Sequence, residues 1–169
     1  MKLSQIKPSV SFCAKLNENT RSIIKRLERN SSEKLEQTLD KAIEKSPLKD
    51  FGGEETTISI GFYSTSDFWG EVSTVPAPVI NTKLNDKEVS VTLPSYGQDV
   101  DMNEEEDIIR HLQAKKYAQY DFCNVLTNTK IDKIKTLLAQ EYIRQSANEM
   151  IDNSTSETFE KIKNGDINF

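Results

Sequence analysis

Residues 57–62 read Thr57-Ile58-Ser59-Ile60-Gly61-Phe62, and here the spacing of the apolar residues changes from a helical period to a strand period. Ile58, Ile60 and Phe62 alternate with small or polar residues, so a strand would place all three on one face. The turn residues Phe51-Gly52-Gly53 come just before this stretch. The pattern therefore predicts a half-buried strand that follows a helical N-terminal part.

On the N-terminal side, the pattern is helical from Glu18 to Ser46. The polar stretch Asn30-Ser31-Ser32-Glu33 interrupts it and has the residues of a helix cap, so the segment is either one long helix or a helix pair. Pro47 ends it, because the residue before a proline is forced out of the helical region. The predicted apolar stripes consist of Ile23, Ile24, Leu27, Leu35, Leu39, Ala42 and Ile43.

On the C-terminal side, the pattern predicts three further strands. The first is irregular and contains Trp69, Val72 and Val75, and the second runs from Ala77 to Leu84. Pro76 and Pro78 require a sheet edge, because proline has no N–H to donate to a neighbouring strand. The last strand, 88–93, alternates regularly after the turn residues Asn85-Asp86. Together these strands predict a small antiparallel β-sheet.

Beyond Pro94 the pattern is helical again. Asn103 precedes four acidic residues, 104–107, which suit the first turn of a helix that contains Ile108, Ile109, Leu112 and Tyr120. A last long helix is predicted from Thr129 to Ile151. Its apolar stripe consists of Ile131, Ile134, Leu137, Leu138, Tyr142 and Met150.

The tail after Asn153 contains a short candidate helix with Phe159 and Ile162, which ends at Gly165. A helix this short is not stable alone, so it is either frayed or docked on something. We predict a single α+β domain over residues 1–169, with an N-terminal helix or helix pair, a small antiparallel sheet and two C-terminal helices. Its parts are a basic helical arm (1–49), the sheet (50–97), an acidic helical part (98–152) and the tail (153–169).

Composition excludes several classes of protein. A net charge of −5 and a pI near 5.1 argue against a nucleic-acid-binding domain. Two cysteines, Cys13 and Cys123, are too few for a disulfide framework, and we expect both to be reduced. No apolar run approaches the roughly 20 residues that span a membrane, and the N-terminus has no signal peptide. We therefore expect a cytoplasmic protein without membrane contact.

Charge is distributed unevenly along the chain. Residues 1–49 contain 11 Lys or Arg and 6 Asp or Glu, whereas residues 50–169 contain 11 and 21. Such asymmetry is typical of proteins with different partners on different faces. It is also what a basic helix lying on an acidic body of the same chain would give, and we favour this second interpretation.

No motif predicts catalysis or a cofactor. The stretch 99–104 opens like a calcium loop, but Glu104 and Arg110 occupy the positions that need glycine and a bidentate glutamate. Asp107 and His111 could share a helix face, as half of a catalytic set without a nucleophile. Gly52-Gly53 is followed by two glutamates, which would repel a phosphate. We expect no enzyme activity, no catalytic residue, no metal site and no cofactor.

The candidate functional residues are therefore those of an interaction surface. Basic charge is concentrated on the first helix, where it would contact a nucleic-acid backbone, an acidic protein surface or only solvent, and we favour the last two. An aromatic pair lies in a polar setting, where tryptophan is either core or an interface anchor. These candidates are Arg21, Lys25, Arg26, Arg29, Phe68 and Trp69.

The order of elements resembles that of some tailed-phage tail-completion and head–tail connector proteins. The resemblance is carried by the basic helix, the proline break, the strand 57–62, the stretch Lys116-Tyr117-Ala118-Gln119-Tyr120 and the C-terminal amphipathic helix. It implies a non-enzymatic subunit of a virion that forms homo-oligomers or multiprotein assemblies. Our alternative hypothesis is a small acidic inhibitor or adaptor protein that binds a host enzyme.

Overall fold

The computed structural model of the protein describes residues 14–28, 34–50, 55–66, 72–85, 87–95 and 104–163. Helices flank a sheet in sequence and in space, so the predicted α+β class is confirmed. The elements, in chain order, are β1 (Lys15–Leu16), α1 (Glu18–Glu28), α2 (Leu35–Lys45), a 3-10 turn (Pro47–Asp50), β2 (Thr57–Ser66), β3 (Val72–Leu84), β4 (Lys87–Thr92), α3 (Glu105–Ala114), α4 (Lys116–Asn128) and α5 (Ile131–Lys163).

The sheet has the strand order β1-β2-β3-β4 and is mixed rather than wholly antiparallel. β1 lies parallel to β2, whereas the other two pairings are antiparallel as predicted. Parallel neighbours need a long crossover connection, and α1 and α2 supply it. The segment 1–49 is therefore not only a helical arm, because it also contributes an edge strand. The sequence concealed β1 because it is two residues long.

Helix α1 begins directly after β1, and the side chain of Asn17 caps it. Its Oδ1 accepts hydrogen bonds from the backbone N–H groups of Asn19 at 2.9 Å and Thr20 at 3.4 Å. The backbone N–H of Asn17 donates to Ile58 O in β2 at 2.8 Å, so the cap is fixed to the sheet. The predicted polar joint 30–33 lies outside the described residues.

β3 is one continuous strand of 13 residues, where the sequence predicted two. Among the described residues, β4 pairs with β3 only from Val79 to Leu84, so the stretch with both prolines has β2 on one side and no paired strand on the other. Pro78 O accepts a hydrogen bond from Leu93 N at 2.8 Å, and Pro76 O accepts one from Ser95 Oγ at 2.9 Å. β3 is an inner strand of the sheet, so the edge predicted at both prolines is only local, where β4 does not extend along them.

One close approach inside the sheet requires glycine. A Cβ atom at Gly61 of β2 would lie 2.6 Å from Cγ2 of Val79 on β3. Such a contact forces a shift of the neighbouring strand, so a larger residue at position 61 would disturb the pairing that anchors β3.

The hydrophobic core lies between one face of the sheet and the helices. Ile58, Ile60 and Ile80 supply the sheet side and are at most 3% exposed, which confirms the predicted alternation. Phe62 lies on the same face of β2 as Ile58 and Ile60, but 45% of its surface is exposed. The helices cover the sheet with Ile24, Leu35, Leu39, Ile43, Ile108, Ile109, Leu112, Phe122, Leu126, Ile134 and Leu138.

The C-terminal part consists of three helices, not the predicted two. The break lies at Lys115, whose backbone is extended (φ −124°, ψ 101°) and whose N–H still caps α3 by donating to His111 O at 2.9 Å. The predicted helix that held both Leu112 and Tyr120 is thus divided into α3 and α4. Tyr120 belongs to α4 and is 68% exposed, so it is not a core residue.

The predicted division between a last helix and a separate tail is also wrong. α5 continues without interruption through the predicted boundary at Ile151 to Lys163. At about 1.5 Å per residue, its 33 residues extend about 50 Å. None of the helices among the described residues combines the length and the hydropathy needed to cross a bilayer.

Candidate functional site

The basic side chains of α1 mostly face acidic groups of the same chain. The Arg21 guanidinium donates to both carboxylate oxygens of Asp40, at 2.9 and 3.0 Å, and also pairs with Glu36. The hydrogen bond to Asp40 is the main cause that raises the pKa of Arg21. With its donors engaged by α2, Arg21 stabilises the α1–α2 pair and presents little free charge to a partner.

Lys25 and Arg26 are more accessible but are also paired. Lys25 Nζ lies 3.6 Å from Glu36 Oε1, and Arg26 forms an ion pair with Glu106 of α3. Glu106 also accepts a hydrogen bond from Arg110 at 2.6 Å, and this bond is the main cause that lowers the pKa of Glu106. The side chains of Lys25 and Arg26 keep 61% and 59% of their surface exposed. These contacts agree with a basic helix that lies on acidic neighbours.

Three of the six candidate residues lie outside the described residues. They are Arg29, Phe68 and Trp69. The structure therefore brings Arg21, Lys25 and Arg26 together on α1 and leaves the aromatic pair as a sequence-based prediction.

His111 has a different neighbour from the one that the sequence suggested. Its ring packs edge-on against the ring of Tyr117, with the centroids 6.3 Å apart. Burial is the main cause that lowers the pKa of His111, and the charge of Lys115 adds to it. Within the described part of the chain, no hydrogen bond joins His111 to Asp107. A neutral imidazole without a carboxylate to orient it has the geometry of a packing residue.

A pocket of about 510 Å³ with a mainly polar lining lies over the outer sheet face beside Asn81. The Asn81 side chain donates to Ser59 Oγ at 3.0 Å and accepts from Ser90 Oγ at 2.8 Å. In the ranges that the structure describes, no three side chains of the metal-binding types come together.

Cys123 of α4 is half-buried beside a shallow pocket that also contacts Tyr120. Burial raises the pKa of its thiol to about 11, from an ordinary value of 9.0. The thiolate is the reactive form, so a higher pKa leaves less nucleophile at neutral pH. Cys123 is therefore half-buried and has low reactivity, as expected of a cysteine that only packs against its neighbours. Cys13 lies outside the described residues.

We predict slow alkylation of Cys123 in a Cys13→Ser variant. At pH 8, the reaction with iodoacetamide should be about 100-fold slower than for a thiol of pKa 9.0, because the thiolate fraction falls about tenfold per unit of pKa. The rate should keep rising up to about pH 11, and mass spectrometry of quenched samples measures it. The same variant unfolded in urea is the control, and equal rates in both states would contradict the prediction.

Among the described residues, Ile143, Met150 and Ile151 of α5 are exposed large apolar side chains, and the two halves of this helix have different surroundings. In the N-terminal half, Ile134 and Leu138 are buried against the rest of the protein. Lys87 of β4 also contacts α5, since its Nζ donates to Ser146 Oγ at 3.0 Å, pairs with Glu149 and lies 5.5 Å from the Tyr142 ring centroid. Every side chain described from residue 147 to the end of the helix is exposed. We call residues 147–163 the outer half of α5.

An apolar stripe that faces away from the core begins at Ile143 and continues into the outer half of α5. Ile143, Met150 and Ile151 are 65%, 73% and 61% exposed. At about 100° per residue, these positions lie about 120–140° around the helix axis from the buried Leu138. Met150 was predicted in the core stripe, and this prediction is wrong because the helix turns the residue to solvent. We call Ile143, Ala147, Met150 and Ile151 the outer stripe.

No family model matches this chain, and no curated protein or solved structure shows significant similarity to it.

Proposed function

We propose that this protein is a non-enzymatic subunit of a larger protein assembly and that it binds its neighbours through the outer half of α5. The observation that carries the proposal is the outer stripe, in which three large apolar side chains are more than half exposed on one helix face. A contiguous apolar surface on a helix is typical of helix-to-helix or helix-in-groove binding.

The sequence of the outer half supports this proposal. Asp152-Asn153-Ser154-Thr155-Ser156 are all poor helix formers, each costing about 0.5 kcal/mol relative to alanine. Their side chains are exposed, so packing within the chain does not offset this cost. A helix that continues through such a stretch gains stability from a partner that covers its apolar side.

Two further features support a role without catalysis. The Cys123 thiol is neutral at physiological pH because burial raises its pKa, and His111 packs against Tyr117. Neither residue is poised as a nucleophile or a general base.

Within the class of assembly subunits, the order of elements favours a tail-completion or head–tail connector component of a tailed-phage virion. The basic helix α1, the break at Pro47, the strand β2, the start of α4 at Lys116 and the C-terminal helix α5 occur in the order of the resemblance given above. This is support from layout, and it assigns no individual functional residue.

Site-specific photo-crosslinking in cells that make the protein tests the proposal. A benzophenone amino acid at position 150 should give discrete adducts with one or a few protein chains. The same group at position 120, which is 68% exposed on α4, is the matched control and should give none. Adding Ile143→Lys to the position-150 protein should abolish the adducts. The absence of adducts from position 150, or equal adducts from both positions, would overturn the proposal.

A further inference from the structure

We propose that the cavity between the C-terminal half of α4, the start of α5 and Pro94 binds a small organic anion with an apolar body, such as an aliphatic or aromatic carboxylate. The cavity has a volume of about 410 Å³, which is typical of small-molecule sites. Lys133 on its rim lies ten residues, or about 15 Å along α5, before Ile143 of the outer stripe. The inference is therefore independent of the function proposed above.

The lining of the cavity favours a ligand with an apolar body. Val125 of α4 is partly buried and packs against the hydrophobic core, and Pro94 is partly buried as well. Lys130 and Lys133 also line the cavity, and a lysine side chain is mostly methylene groups. Apolar atoms placed here are removed from water without the loss of a hydrogen bond.

Four polar side chains around this lining have no partner within the part of the chain that the structure describes. They are Asn124, Asn128, Lys130 and Lys133, and neither a hydrogen bond nor an ion pair engages their side chains there. The cations of α1 differ in this respect, since each of those described above pairs with a carboxylate. The cavity therefore offers donors that are free to bind a ligand.

Charge at the rim selects an anion. Lys130 and Lys133 carry two positive charges and Asp121 carries one negative charge, so the rim is basic on a protein whose net charge is −5. Asp121 lies seven residues, or about 10 Å, before Asn128 at the end of α4, and Lys130 follows directly after that end. An acid group fits beside the lysines and the Asn128 amide, away from Asp121, and the apolar body extends along Val125.

Contacts within the chain hold the walls of the cavity in place. Thr129 Oγ donates to Val125 O at 2.6 Å and fixes the turn between α4 and α5. The residues on both sides of Pro94 donate hydrogen bonds to carbonyl groups of β3, at 2.8 and 2.9 Å. A site that is formed before the ligand arrives loses less conformational freedom on binding.

Titration of the ¹⁵N-labelled full chain with sodium octanoate, followed by heteronuclear NMR, tests the site. The backbone amide signals around Val125 and Lys133 should shift and saturate with a dissociation constant on the order of 1 mM. Octylammonium has the same chain length and the opposite charge, so it should bind at least about tenfold more weakly. Acetate has the acid group without the apolar body, and its shifts should not saturate up to about 50 mM.

A pair of double variants separates the site from the net charge of the protein. Lys130→Gln/Lys133→Gln should weaken octanoate binding about tenfold, because both cations are lost while the side chains stay long. The matched control Lys115→Gln/Lys135→Gln makes the same change of charge at exposed positions outside the cavity and should bind octanoate as the wild type does. All four lysines are exposed, so both variants should fold, which thermal melting checks.

Three results would each overturn the proposal: no saturable shifts at the cavity, equal affinity for octanoate and octylammonium, or equal loss of affinity in both double variants. Shifts centred on the outer stripe would also contradict it, because they would show an alkyl chain that binds any exposed apolar surface. Saturation at the cavity that only Lys130→Gln/Lys133→Gln weakens supports it. None of these results bears on the assembly role, which crosslinking from position 150 tests separately.

Discussion

Replacing Phe122 with alanine should lower the free energy of unfolding by about 4 kcal/mol. Phe122 is among the largest fully buried side chains, with 1% of its surface exposed. It lies in the middle of α4, which packs between α2 and β3, so its ring connects the helical layer to the sheet. Truncation leaves a cavity that the surrounding elements can fill only by moving together. Urea unfolding followed by circular dichroism at 222 nm measures the change.

The matched control lies two residues away on the same helix. Tyr120 is 68% exposed, so Tyr120→Ala should change the stability by less than about 0.5 kcal/mol. Phe122→Leu should cost much less than Phe122→Ala, because leucine refills most of the volume. A loss below about 1 kcal/mol for Phe122→Ala would contradict the position of α4 in the core.

The parts of the fold that local periodicity encodes could be predicted. Alternation at Ile58 and Ile60 places both residues on the core face of β2, and the spacing of Leu35, Leu39 and Ile43 makes the buried side of α2. Such patterns arise because one face of each element is buried, and they need no knowledge of which element covers it.

The missed features depend on contacts far along the chain. β1 is a strand only because residues near position 57 lie beside it, and nothing in Lys15–Leu16 itself indicates this. The α3–α4 boundary lies at Lys115, which is neither proline nor glycine, so the sequence lacks the usual sign of a helix end.

The prediction that Met150 of α5 lies in the core was wrong for a different reason. This helix carries two apolar stripes on opposite faces, one buried and one exposed, and periodicity alone does not say which stripe faces the core. Met150 fits the spacing of a core residue but lies on the exposed side. The candidate site was missed because the sequence shows that a stripe exists without showing what covers it.

For the basic helix α1, the distribution of charge along the sequence predicts that ion pairs form but not which residues form them. The asymmetry between the two parts of the chain favoured a basic helix that pairs with the acidic part, yet Arg21 pairs with Asp40 inside the basic part itself, and it is Arg26 that reaches the acidic part. The pairing of Arg26 with Glu106 joins residues 80 positions apart, so only the folded chain reveals that partner.

Asn153→Pro should remove the outer half of α5 as a helix while leaving the rest of the fold intact. Proline in a helix interior costs about 3 kcal/mol, because it lacks the N–H that bonds the carbonyl four residues earlier and its ring clashes with that carbonyl. About 14 helical residues beyond Glu149 would be too short and too polar to stay helical alone. The helical signal at 222 nm should therefore fall by roughly one-sixth.

Because position 153 lies beyond Ile151, the substitution distinguishes a helix that ends near Ile151 from one that continues to Lys163. A helix that ended near Ile151, as predicted from the apolar stripe, would tolerate proline at 153 without loss of the signal at 222 nm. A continuous helix would lose signal at 222 nm when proline replaces Asn153. In a continuous helix, Asn153→Ala should raise this signal slightly, because alanine is the best helix former. The main thermal transition should stay unchanged in both variants, since the residues lost are exposed and contribute nothing to the core. An unchanged signal for Asn153→Pro would contradict the continuous helix, and with it the position of the outer stripe on one helix face.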